Sequence, residues 1–309
     1  VRDHADLYQL RPGADETAGA VLLVVLDGFM DAGTVGRQAA DALFAASDAE
    51  EIAVFDVDRL LDYRSRRPMM TFVENAFTEY TPPNLTLYRL RDGEGTPFLL
   101  LHGLEPDHEW EAFAEAVREL IERFSVTLTV GVHGIPMAVP HTRPTTATAH
   151  ATRAELVSGH TPWIGRVNVP AGAAALLEYR LGEAGHDAVG YAVHVPSYLS
   201  QSEYPRAAIA ALEFVAGATG LALPGESLEE TAQQTDAEIE QQVQASEEVQ
   251  RVVANLEQQY DDFMTARENA GEEGVQRPLF GDDATDLPTA DELGAELERY
   301  LADRERGDG

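Results

Sequence analysis

Seven side chains of the kinds that bind or react stand just after apolar runs of this 309-residue sequence: Asp27, Asp31, His102, Glu105, His141, Arg143 and His194. Imidazoles beside carboxylates are the usual material of general acid–base chemistry, and a guanidinium among them holds an anion. In that reading His141 is the acid or base and Arg143 the anion holder, with Asp31, His102 and Glu105 completing the set. His102, Glu105, Asp107 and His108 also lie close enough together to ligate a metal. The Pro106 turn and a helix start account for the same spacing, so neither a metal nor a cofactor is expected. Gly28-Phe29-Met30-Asp31-Ala32-Gly33 follows a strand as a dinucleotide loop does, but without the G-x-G-x-x-G spacing. The sequence has no G-x-S-x-G elbow and no H-E-x-x-H. Each candidate also has a structural reading: Asp27-Gly28 as a turn, Asp107 as a helix N-cap, His141 as a satisfied histidine between prolines. A separate island, Arg59, Arg64, Arg66 and Arg67, is either surface pairing with Asp56, Asp58 and Asp62 or a docking site. In the second reading Arg64, Arg66 and Arg67 would receive a carboxylate or another subunit.

What could bring these residues together is a sheet. Residues 20–26 are apolar throughout, as buried parallel strands are, and helical character follows over 34–46. Strands are predicted over 51–56, 85–90, 97–101, 126–132 and 188–195, with turn chemistry at Arg91-Asp92-Gly93-Glu94-Gly95. Helices are predicted over 109–124, 171–181 and 205–218. In the first of these Trp110, Phe113, Val117, Leu120, Ile121 and Phe124 recur at helical spacing. Strands alternating with helices imply a three-layer α/β/α fold with a mainly parallel sheet. Functional groups of such sheets gather beyond the strands' carboxyl ends, which is where the seven candidates fall.

Composition sets the outer bounds. Fifty-four acids face 22 bases for a net charge of −32; every base is Arg, and there is no Lys and no Cys. That removes lysine Schiff bases, a Walker lysine, disulfides and thiolate chemistry. A surface this acidic repels phosphate backbones, so neither nucleic acid nor an anionic membrane is an expected partner. No apolar run approaches the length of a membrane span, and the first residues lack a secretory pattern, so a cytoplasmic location is expected. Exclusive use of Arg points to a high-GC genome. Composition shifts near Pro224-Gly225, dividing an α/β domain, residues 1–225, from an acidic, mostly helical extension, residues 226–309. The extension carries 24 acids and six Arg. Within it Val249, Val253, Leu256, Tyr260 and Phe263 form an apolar stripe suited to packing on the domain or on a symmetry mate. Residues 271–288 read as a linker where proteolysis should begin, and 291–302 as a last amphipathic helix.

Taken together, Asp27-Gly28-Phe29-Met30-Asp31-Ala32-Gly33, Asp62-Tyr63-Arg64-Ser65-Arg66-Arg67-Pro68, His102-Gly103-Leu104-Glu105-Pro106-Asp107 with Trp110 and Phe113, Pro140-His141-Thr142-Arg143-Pro144, and His194-Val195-Pro196-Ser197-Tyr198-Leu199 resemble the PAC2 family, the proteasome assembly chaperone 2-like proteins. The likeness spans about residues 21–223 and is to the actinobacterial members. It implies a domain similar to phosphorylase- and hydrolase-like folds. It also implies a non-enzymatic assembly or interaction role, with proteasome α-type subunits as partners, and a homo-oligomer in which three copies are favoured over two. The alternative is a small-molecule binder or phosphorylase/hydrolase-like enzyme using the strand-end rim. Archaeal relatives engage the core particle through a C-terminal hydrophobic-Tyr-any tripeptide. The ending Gly307-Asp308-Gly309 does not match it, so that docking mode is not expected here.

Overall fold

A computed structural model describes residues 4–14, 21–160, 162–163 and 165–274. Its centre is β2 (Val21–Asp27), whose alternate side chains enter two separate cores, as the two-residue strand period requires. Leu22 and Val24 join one core, Leu23 and Val25 the other. Around β2 are β7 (Pro97–Leu104), β8 (Leu128–Met137) and β10 (Ala188–Pro196), and these four strands run parallel. On one side β6 (Leu85–Arg91), β3 (Glu50–Phe55) and β1 (Tyr8–Leu10) follow in antiparallel pairings. On the other, β9 (Ala147–Ala151) closes the sheet antiparallel to β10. Among the described residues the sheet thus has eight strands, parallel in the middle and antiparallel at both flanks.

Helices cover both faces, as the apolar periodicity predicts. On one, α1 (Val35–Ala46) and α5 (Pro205–Thr219) bury Ala39, Leu43, Ala207, Ala211 and Val215 against β2, β8 and β10. On the other, α3 (Trp110–Arg123) and α4 (Ala173–Glu183) bury Phe113, Val117, Leu120, Leu177 and Leu181. At roughly 1.5–3 kcal/mol per buried large aliphatic or aromatic side chain, these two cores dominate the favourable side of folding. The short helix α2 (Val57–Leu60) begins at Asp56, whose carboxylate accepts the Asp58 N–H at 3.2 Å.

Besides β1, β9 and the short α2, two larger elements lie outside the sequence reading. One is a hairpin, β4 (Met70–Val73) with β5 (Ala76–Tyr80), forming a two-stranded sheet apart from the main one. The other is α6 (Glu229–Gln244), which precedes the expected extension helix, α7 (Glu247–Gly274). The α7 stripe packs on the chain's own domain: Val253 and Tyr260 are buried, with Tyr260 and Phe263 against Trp163. Residues 275–288 of the proposed linker and the predicted helix over 291–302 lie outside the described residues. No helix among the described residues is long and apolar enough to cross a membrane.

Candidate functional site

Because β2, β7, β8 and β10 are parallel, their carboxyl ends share one rim. The loop after β2 is bound to the loop after β7: the Glu105 N–H donates to Asp27 O at 3.0 Å. Arg66 clamps the same junction, donating to Asp27 O at 3.2 Å and Glu105 O at 2.7 Å and pairing with Asp107. Asp107 also accepts the Asp62 N–H at 2.7 Å. The sequence reading of Asp107 as the cap of α3 is corrected by this geometry. The capping position is Glu109, in the left-handed region at φ +54°, and the Asp107 carboxylate is taken by Arg66 and Asp62.

Two of the three rim carboxylates are occupied by backbone, and the third, Asp27, lies 3.8 Å from Arg37. Asp31 accepts the N–H groups of Gly36 (2.9 Å) and Arg37 (3.2 Å) in the first turn of α1 and of Gly134 (3.0 Å) in β8. Glu105 accepts Phe29 N–H at 3.0 Å and, at the start of α4, Ala173 N–H at 2.6 Å. Its carboxylate lies so close over Gly28 that a Cβ there would come within 2.2 Å of Oε2. Helix N-termini carry partial positive charge and orphan donors. Here both ends are filled by the chain's own acids.

The histidines are spent in separate places. His102 meets Val25 O through Nδ1 at 2.9 Å, with its ring edge against Phe44. His194, almost fully buried in β10, lies between the hydroxyls of Thr146 (Nδ1, 2.9 Å) and Thr148 (Nε2, 2.8 Å). Trp163 stands at right angles 4.9 Å away. Burial pushes the His194 imidazole down to about 4. At His141, both the backbone N–H (2.9 Å) and Nδ1 (2.7 Å) meet the Tyr198 hydroxyl, and burial again lowers the imidazole.

Arg143 turns toward the extension. It is bidentate to Asp261 at 2.8 and 2.6 Å and reaches Glu257 at 3.2 Å, and Thr142 Oγ1 donates to Glu257 at 2.5 Å. Arg206 binds α6 in the same way, through Asp236 (2.7 Å) and Glu229 (2.8 Å). Between these two anchors lies an open groove of about 480 Å³ lined by His141, Arg143, Tyr204, Arg206, Asp236 and Glu240. Arg206, Asp236, Glu257 and Asp261 were not singled out in the sequence. Their pairings span 23 to 118 positions, and local spacing carries no trace of them.

The seven candidates divide among several neighbourhoods: His102 and His194 lie within β7 and β10, not beyond their ends, and Asp31 is held at the start of α1. Asp27, Glu105 and Arg66 form one cluster, and His141 and Arg143 join Tyr198 and the extension in another. His194 and His102 are tied into the sheet. Of the docking candidates, Arg64 pairs with Asp62 at 3.0 Å and remains largely exposed, Arg67 is exposed, and Arg66 is turned inward. Among the described residues no group of three or more His, Asp or Glu is arranged to hold a metal ion.

The aromatic seat of α7 makes a checkable expectation. Val253→Asp places a charge in a buried position and should release α7 from Trp163. Limited proteolysis within Glu247–Gly274 should then accelerate by roughly tenfold or more, the factor that a loss of about 1.4 kcal/mol produces. Unchanged cleavage would show that α7 is held by its ion pairs alone.

The model of the PAC2 family matches residues 25–243. Among solved structures, a Mycobacterium tuberculosis protein of unknown function is 51% identical with a TM-score of 0.82, covering 89% of this chain and 95% of its own. A Corynebacterium glutamicum protein of unknown function is 39% identical with a TM-score of 0.80, covering 84% and 98%. A Mycobacterium tuberculosis proteasome-assembly chaperone homologue is 26% identical with a TM-score of 0.69, covering 75% and 99%. No curated protein matches the sequence significantly.

Proposed function

The chain belongs to the PAC2 family, on its actinobacterial branch, and from that footing we propose that it is a non-enzymatic binding factor of the proteasome-assembly-chaperone kind. It would act in the cytoplasm as a homo-oligomer, three copies being favoured over two, with proteasome α-type subunits as its partners. The observation that carries the reading is the self-occupied rim. Asp31 and Glu105 fill the helix N-termini where an anionic substrate would be received. Arg66, Arg143 and Arg206, the guanidiniums that could hold such an anion, are committed to the chain's own carboxylates. A phosphorylase-like enzyme needs those donors open toward its ligand. A protein that works through its surface does not.

The test is retention of α-type subunits from a proteasome-bearing actinobacterium on the immobilised chain, at low and at moderate salt. Enrichment under both conditions supports the proposal. Absence under both refutes the proteasome partner.

A further inference from the structure

The hairpin β4–β5 has an exposure that its own chemistry does not explain. Every residue over 69–82 is exposed. Six of them are large and apolar: Met69 (75% exposed), Met70, Phe72, Val73, Phe77 (67%) and Tyr80. Phe72 and Phe77 pair edge to face across the strands at 5.0 Å, and Thr71 Oγ1 donates to Glu79 at 3.0 Å. An isolated two-stranded hairpin is marginal in water, and contiguous exposed apolar surface on a monomer marks an interface. The hairpin also lies close to the rim. Arg66, three residues before Met69, holds the carbonyl of Asp27, and Phe29, two residues further on, is 71% exposed.

We propose that this hairpin is the surface through which one copy of the chain binds a second copy; the inference rests on the self-association proposed above and assigns it a place. Three observations favour a second copy over a passing client. First, a hairpin bare on both sides needs a cover that is always present, and only another copy is present whenever the chain is. Second, six side chains of this size, about half or more exposed, offer on the order of 800 Å², which matches the share each partner gives to a standard interface. Third, the basic residues beside the hairpin are complementary to the rest of the molecule. Arg67 is exposed at its base, next to the exposed Arg64–Asp62 pair, while the chain as a whole carries −32. A second copy supplies acids almost anywhere those guanidiniums reach, and opposite charges at a rim steer and orient association. Among the described residues both strands moreover have unpaired outer edges, open to extension into an intermolecular sheet.

The experiment is the mass of the full-length chain in solution by light scattering or sedimentation, for wild type and for Phe72→Ser with Phe77→Ser. The hairpin lies outside the main sheet, so the double variant should keep its circular dichroism and most of its thermal midpoint. Expected is a multiple of the chain mass for wild type and a roughly 1,000-fold weaker self-association for the variant, the scale of two lost hot-spot aromatics. A variant that loses its folded spectrum is replaced by Met69→Ser with Phe77→Ser, read in the same way. A monomeric wild type at micromolar concentration overturns both this assignment and the self-association it rests on. An oligomeric wild type with an unaltered double variant overturns the hairpin assignment alone. A monomeric wild type whose double variant loses α-subunit retention assigns the surface to that partner instead, and overturns the second copy.

Discussion

Replacing Asp31 by alanine should lower the unfolding free energy by about 3–5 kcal/mol, since three hydrogen bonds to a charged acceptor are lost at roughly 1.5–3 kcal/mol each with incomplete additivity. The bonds are those from Gly36, Arg37 and Gly134. Their loss matters more because of the backbone they restrain. Gly33 and Thr34 are consecutive residues at positive φ, +68° and +50°, and a left-handed threonine costs on the order of 1 kcal/mol. Asp31 fixes both sides of that turn, through its own carbonyl to the Thr34 N–H at 3.0 Å and its carboxylate to α1. Asp31→Asn keeps Oδ1, which takes Gly36 and Gly134, and loses the Arg37 bond and the charge. It should therefore cost only about 1–2 kcal/mol. Chemical denaturation of the three proteins measures the order. Equal losses for Asn and Ala would show that charge, not the set of bonds, is what matters. The alanine variant also opens the α1 N-terminus. Millimolar phosphate should raise its thermal midpoint and leave the wild type unchanged. Stabilisation of the wild type by phosphate would instead favour the enzyme reading of the rim.

Acid should act on this fold earlier than its carboxylates alone would dictate. His194 titrates at about 4 in the folded chain because burial disfavours its charge, and an unfolded imidazole titrates near 6.5. As pH falls from about 6.5 towards 4, the unfolded state takes up the proton and the folded state does not. Stability therefore falls with pH across that window, by up to about 3 kcal/mol. His133 is pushed down to about 4 by burial too and acts in the same direction. The low-lying carboxylates, such as Asp62 at about 2 beside Arg64, respond only below this window. Relief of the −32 charge by protonation of ordinary acids also comes mainly below pH 5. Unfolding free energies at pH 7 and 5 should differ measurably for wild type, and His194→Gln should remove about half of the difference. A pH-independent wild type over that range would show that His194 is protonated without cost where it lies.

The parallel centre of the sheet was legible because its strands are buried on both faces and read as unbroken apolar runs, as in Val21-Leu22-Leu23-Val24-Val25-Leu26. The same held for α3, whose Phe113, Val117, Leu120 and Ile121 enter one core at helical spacing. The family was legible from the loops after those strands. Where the core does not choose the residues, the reading failed. The strand β9, Ala-Thr-Ala-His-Ala, is built of small side chains at an edge. The hairpin faces water throughout, so no burial period marks it. Strand order put Asp31, Glu105, His141 and Arg143 in loops after parallel strands, whereas His102 and His194 lie inside β7 and β10. What each one touches depends on partners from 23 to 118 positions away, as with Arg206–Glu229 and Arg143–Asp261, and no local pattern encodes that.

The order of strands across the sheet also sets a timetable for synthesis. The most apolar strand, β2, is made early, yet both of its neighbours come much later: Val21 lies opposite Leu128 of β8, and Leu22 opposite Leu99 of β7. Translation proceeds at about 5–20 residues per second, so β2 waits on the order of 5–20 s before both flanks of its ladder are complete. Its intended first neighbour is not the next strand made, and α1 can cover only one of its faces. Nascent chains stopped before residue 128 should therefore bind a ribosome-associated holdase and aggregate when released. Chains carried through β8 should not, which makes the stretch from β2 to β8 the vulnerable interval in the birth of this protein.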